Sequence, residues 1–303
     1  MDTGGRMKNR VFIFLIIVLI GSLILTSCGA NREAKSIIIG SKDFAEQYIV
    51  AEMYAQILEA DGFEVERKFG LAGTPVAQAA LLSGEIDIYP EYTGTGLLTV
   101  LKAPVNSDPE AVYQTVLEGY QQFDLVWLDP APMNNTQALA VPRSLAEEKG
   151  IRTISDMVAN ASDLVMVGPA EFTEREDGLP GIKANYGDFE LADYKAVDKG
   201  LRYQAVSDGE AQIVVAFGTD GEIAAFDMIV LEDDQGMFPP YQVAPVITKA
   251  KLDQYPEIAE KLNAVTVLLT NEIMQALNFE VTGNGREPAD VAAEFLLENG
   301  FIE

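Results

Sequence analysis

Apolar positions along this chain fall into two recurring patterns: short runs bounded by Gly or Pro, and stripes that return every three to four residues. Residues 36–40 (Ser-Ile-Ile-Ile-Gly) form such a run and predict a buried strand. Ile49/Val50, Met53/Tyr54 and Ile57/Leu58 then recur with helical spacing, which predicts an amphipathic helix capped by Ser41 or Asp43 and ended by Gly62. Residues 63–69 start a second strand. A helix is predicted over 74–82, with Pro75 tolerated in its first turn and Gly84 closing it. Residues 86–89 read as a strand stopped by Pro90. The alternation continues with a helix over 112–120 and strands at 125–128 and 138–141. Helices follow around 143–149 and 154–159, then strands at 164–167, 195–197 and 213–217. Residues 224–231 fit either strand or helix, and the stretch from Pro256 onward reads as helical.

The N-terminal pattern is different. Arg6, Lys8 and Arg10 precede an apolar run over 11–25, broken only by Gly21 and Ser22. The run is shorter than the roughly 20 residues a membrane-spanning helix needs, and it has the order of a signal peptide. It ends in Leu25-Thr26-Ser27-Cys28-Gly29, which resembles a bacterial lipobox. That resemblance implies a signal peptide over 1–27, a lipidated Cys28 and a polar tether through residue 35. The acyl chains would supply the two signals that stable anchoring takes. A chance buried cysteine is the alternative, but it would not need this flank.

Alternating short strands and helices predict an α/β fold with mostly parallel sheets. A body of this length is expected to divide into two lobes. The chain has 303 residues, 48% of them hydrophobic and 22% charged, as in a folded soluble protein. Its formal net charge of -26 opposes nucleic-acid binding and adsorption to anionic lipid through basic patches. No histidine is present, which removes the common zinc ligand and any Ser-His-Asp triad. The single cysteine excludes an internal disulfide, and no Asp/Asn/Glu loop has calcium-hand spacing. No cofactor or metal is expected. An enzyme is disfavoured further because no GxSxG elbow, no GxxxxGK[ST] loop and no well-placed GxGxxG occurs.

Several strings resemble the osmoprotectant-binding proteins of ABC importers, the glycine betaine/carnitine/choline class with an OpuAC-like domain. They are residues 40–47 (Gly-Ser-Lys-Asp-Phe-Ala-Glu-Gln), 84–95 (Gly-Glu-Ile-Asp-Ile-Tyr-Pro-Glu-Tyr-Thr-Gly-Thr), Asn134-Asn135-Thr136, Thr219-Asp220-Gly221 and Phe238-Pro239-Pro240-Tyr241. Their order and spacing cover essentially the whole body. The resemblance implies a type II periplasmic-binding-protein fold, with lobe 1 at 36–129 plus 240–303 and lobe 2 at 139–238. Hinge segments would lie near 129–138 and 233–240. It implies a monomer that performs no chemistry. Such a protein closes around a quaternary ammonium osmolyte and delivers it to a membrane permease driven by an ATPase. A ligand sensor or adhesion module built on the same lobes is the rival reading, as is a binder of a different polar solute.

The resemblance also selects site residues. A trimethylammonium head has no N–H donor, so aromatic faces attract it without demanding a hydrogen bond. Tyr92 and Tyr241 match cage walls, and Thr95 matches a hydroxyl on the ligand carboxylate. Each has a plainer reading: a half-buried core tyrosine, or a turn hydroxyl bonded to backbone. Lys42, between a strand and a helix N-terminus, is a candidate carboxylate anchor or simply a surface charge. Arg175 either grips the carboxylate with two prongs or pairs with its acidic neighbours Glu171 and Glu174. Asn135 and Asp220 fall within the matched strings and complete the candidate set. Two positions depart from a full tyrosine cage. Phe217 keeps a π face without a hydroxyl, and Gln137 offers a carbonyl and an amide in place of a ring.

Overall fold

The computed structural model describes residues 35–174, 177–197 and 201–303. Cys28 and the signal-like segment lie outside these described residues, as does Arg175. The body, Ser36–Glu303, forms one compact unit built on two five-stranded sheets.

The first sheet contains β1 (Ser36–Lys42), β2 (Glu64–Leu71), β3 (Ile88–Tyr92) and β4 (Leu125–Trp127). The second contains β5 (Gln137–Pro142), β6 (Val165–Gly168), β7 (Asp193–Ala196), β8 (Ile213–Phe217) and β9 (Met228–Val230). The chain then returns to the first sheet as β10 (Val243–Thr248). The orders are β2-β1-β3-β10-β4 and β7-β6-β8-β5-β9. In each sheet the strand that has just crossed over runs against its neighbours, β10 against β3 and β4, β5 against β8 and β9. The remaining pairings are parallel. Four of the five strands in each sheet thus run the same way, as expected of mostly parallel sheets, and one reversed strand makes each sheet mixed. The antiparallel strand is the one whose direction is set by entry from the other sheet.

Strand alternation distributes the core. Ile37 and Ile39 face one side of β1, while Ile38 joins the cluster on the other. On β8, Ile213 and Val215 face one cluster, and Val214 and Ala216 the other. Each sheet is thus buried on both faces, as helix-covered α/β sheets are. The helix Ala45–Ala60 packs Ile49, Met53 and Leu58 into the same core as Leu262 and Leu296 from helices near the C-terminus and Leu269 from a connection between them.

Local corrections have identifiable causes. The helix Ala45–Ala60 starts after an extended Phe44 with no side-chain cap. Ser41 instead accepts from the Gly70 N–H, and Asp43 from the Tyr48 hydroxyl. Pro90 does not stop β3, because its partner in register is Pro245 of β10. Neither residue has an N–H, so this step leaves no donor stranded. The ambiguous 224–231 stretch resolves into the end of a helix, Gly221–Ala225, and then β9, with Asp227 at φ 48 making the turn.

The two connections between the sheets run side by side. The Tyr241 N–H donates to Asn134 Oδ1 at 2.7 Å, and the Asn135 N–H donates to the Tyr241 carbonyl at 3.1 Å. The Thr136 hydroxyl donates to the Pro239 carbonyl. A Cβ on Gly218 would lie 2.2 Å from the Asn134 carbonyl oxygen, so this approach admits only glycine.

Candidate ligand-binding site

Tyr92 ends β3, Gln137 begins β5 and Phe217 ends β8. Gln137 and Phe217 are direct partners across the β5–β8 pair, so their side chains share one face. Tyr241 lies on the returning connection, its backbone stiffened by Pro239 and Pro240. Gly94 makes room for it: a Cβ there would sit 2.5 Å from the Pro240 carbonyl and 3.0 Å from the Tyr241 ring. These four side chains and Asn135 line one cavity of about 730 Å3, a size suited to a small organic ligand. The Gln137 amide donates to the Asp177 carbonyl at 2.6 Å.

A second cavity, of about 550 Å3, is lined by Glu46, Arg202, Asp220 and Asn278. Asn135 and Phe217 line both, so the cavities meet at these two side chains.

Glu46 holds the junction together. Its carboxylate accepts from the Tyr92 hydroxyl at 2.6 Å, Asn135 Nδ2 at 2.9 Å and Asn278 Nδ2 at 2.9 Å. Burial pushes its pKa up, and the hydrogen bonds from Thr219, Tyr92, Asn278 and Asn135 oppose that. Burial also raises the Tyr92 phenol well above its usual value, and the Glu46 charge adds to the effect. Asn278 donates to the Thr219 carbonyl as well, which ties the helix Asn271–Thr282 to the loop after β8.

Two candidates sit elsewhere. Lys42 is buried, with Nζ 2.6 Å from Glu91 Oε1 and 4.6 Å from the centre of the Tyr92 ring. It lines neither cavity, because the fully buried Glu91 takes its charge. Thr95, half-buried in the turn after β3, lines neither cavity as well. Asp220 does line the second cavity, but its carboxylate is engaged by Arg202, the Tyr203 hydroxyl and the Phe217 N–H. It therefore positions the Phe217 loop. Glu46, Arg202 and Asn278 escaped the sequence reading. The available signal was a polar residue on an apolar helical face, since Asn278 lies one turn from the buried Met274.

Among the described residues, no group of His, Cys, Asp or Glu could hold a metal ion, and no helix is long and apolar enough to cross a membrane. The family model for the substrate-binding domain of ABC-type glycine betaine transport systems (OpuAC) matches residues 35–298. The chain belongs to this family. A glycine-betaine-binding protein of Pseudomonas aeruginosa is 35% identical, over 94% of this chain and 96% of its own length. The ergothioneine transport permease/ergothioneine binding protein of Helicobacter pylori is 32% identical over 96% of this chain. This chain spans only 53% of that protein's length. The crystal structure of a glycine betaine/carnitine/choline ABC transporter component superposes with a TM-score of 0.85 at 30% identity. That match covers 88% of this chain and all of the other. The two mixed sheets are thus those of a type II periplasmic binding protein, and the OpuAC relatives are binding proteins of importers.

Proposed function

We propose that this OpuAC-family chain binds a quaternary ammonium osmolyte through cation–π contacts and passes it to an ABC permease. The observation that carries the reading is the grouping of Tyr92, Phe217 and Tyr241 around one cavity. Aromatic faces select a donorless cation without the hydrogen bonds a hydrated metal cation or an amine would require. Glycine betaine, carnitine and ergothioneine, named for the relatives, share a trimethylammonium group and a carboxylate. In this reading Arg175 holds the carboxylate, and Lys42 acts from outside the cavity, its ammonium 4.6 Å from the centre of the Tyr92 ring. The two halves of the body, 36–129 plus 240–303 and 139–238, close about the paired connections near 129–138 and 233–240. Closure follows because the ligand binds the closed form better.

Calorimetric titration with glycine betaine, choline, carnitine, proline betaine and ectoine tests the proposal. At least one quaternary amine should bind, and Tyr241→Ala should weaken it by about 1–2 kcal/mol, the scale of a desolvated cation–π contact. Silence from every quaternary amine would sink the ligand class.

We further infer export and anchoring through Cys28, on the strength of the basic, apolar and lipobox-like order of residues 6–29. Cys28→Ser should move the protein from the membrane to the soluble fraction of the producing cell. Unchanged membrane association would refute the anchor.

A further inference from the structure

We propose that Leu98, Val105 and Met237 form an apolar wall for the ligand's remaining substituent, so that the site prefers a quaternary amine with a short alkyl arm over one with methyl groups alone. The inference rests on the cage reading above and extends it to the far side of the same cavity.

Three observations converge. First, these three side chains line the cavity that holds Tyr92, Phe217 and Tyr241. Aromatic rings attract a cation through their quadrupoles, and aliphatic carbons do not. A head drawn to the rings leaves the rest of the ligand to meet the aliphatic side chains of the same cavity.

Second, the polar side chains of this cavity already donate within the protein, whereas its aliphatic ones meet water. Asn135 Nδ2 donates to Glu46, and the Thr136 hydroxyl to the Pro239 carbonyl. Gln137 Nε2 donates to the Asp177 carbonyl, and Asn185 Nδ2 to the Gly181 carbonyl. Val105, by contrast, is 65% exposed, more than any other large apolar side chain among the described residues. Leu98 and Met237 are only half-buried. Covering apolar surface at the edge of a binding cavity is favourable, and an alkyl arm covers it without demanding a hydrogen bond.

Third, the backbone that presents this wall is fastened at both ends. Leu98 sits in a turn of π-helix, Gly96–Val100, which follows Tyr92 and the turn Thr93–Thr95. Turns of this kind concentrate at functional sites. Residues 101–108 then run as a strap. The Leu101 N–H donates to the Gly96 carbonyl and the Ala103 N–H to the Leu97 carbonyl, and at the other end Asp108 caps the helix Pro109–Gly119. The strap carries Val105 to the cavity and reaches the returning connection, where a Cβ on Gly236 would lie 3.2 Å from Ser107 Oγ. Met237 follows that glycine, so Val105 and Met237 come to the cavity from two distant segments of the chain.

The test compares tetramethylammonium with butyltrimethylammonium, which share the head and differ only in alkyl length. Dissociation constants are measured by calorimetric or chemical-shift titration for the parent protein, Val105→Asn and Val76→Asn. Val76 is 47% exposed and lines neither cavity, so its exchange controls for the loss of an exposed valine as such. Each methylene covered by the wall should tighten binding by about twofold to fourfold. The butyl compound should therefore bind the parent at least about eightfold more tightly than tetramethylammonium. That ratio should fall by at least half in Val105→Asn and stay at the parental value in Val76→Asn. Val105 is too exposed for its exchange to disturb folding, which equal thermal midpoints verify. If a quaternary amine binds but the parental ratio is smaller than this, the wall is wrong while the cage stands. The same holds if Val105→Asn keeps more than half of the ratio, or if Val76→Asn lowers it as much. If neither compound binds, the cage reading fails and takes the wall with it.

Discussion

Glu46 is the most informative residue to perturb, because two opposing effects act on it and the structure indicates which one wins. It is 3% exposed and faces no cation in any ion pair among the described residues. Burial raises its pKa above the ordinary 4.5 despite the hydrogen bonds that lower it. The folded protein therefore keeps the proton to a higher pH than the unfolded chain does. The resulting stability is fully present below about pH 4.5 and is lost as pH rises through the folded-state pKa. Each pH unit between the two titrations is worth about 1.4 kcal/mol. Glu46→Gln removes this titration and replaces the neutral carboxyl by a neutral amide, which likewise presents one acceptor and one donor side to Tyr92, Asn135 and Asn278. Urea denaturation of parent and variant from pH 4 to 8 should show the parent's stability relative to the variant highest in acid and falling toward neutrality. An advantage that grows as pH rises would refute the reasoning, because it would mean that hydrogen bonding to the carboxylate outweighs its burial.

Two further substitutions separate structure from binding. Lys42→Met strands the buried Glu91, which also accepts from Thr74, Tyr89 and the Tyr92 N–H. It should cost about 3–5 kcal/mol in denaturant unfolding; a variant of parental stability that has lost ligand affinity would instead make Lys42 a ligand residue. Gly218→Ala drives a methyl into the Asn134 carbonyl, and should destabilise by about 1–3 kcal/mol through forced separation of the loop and the connection. An unchanged thermal midpoint would show that the two backbones do not need this approach.

Much of the fold was legible because strand and helix periods are local. Residues 213–217 and 154–159 match the observed β8 and the helix Ile154–Ala159. β10 was missed because Pro245 sits inside it, and only the pairing with Pro90 makes that tolerable. The cage positions Tyr92, Gln137, Phe217 and Tyr241 came from string resemblance, and they do line one cavity. What sequence could not reveal is which charges cancel each other. Lys42 and Glu91 are 49 residues apart, and Arg202 and Asp220 lie on different elements. An ion pair consumes a charge that, read alone, looks ready for a ligand. The reverse holds for Asn278, whose sequence neighbours give no hint that one side of its amide is left over.

In the proposed closure, the bonds from Asn134 and Asn135 to the Tyr241 backbone place this ring on the very connections about which the halves would turn. A ring mounted on an axle barely travels when the flanking bodies turn. In a molecule that opens and shuts there, Tyr241 would be waiting at its final address before the jaws meet, so the first touch of a ligand would already be with a finished surface. Arrival would then be quick and forgiving, and the slower embrace by the far side would determine how long the guest stays.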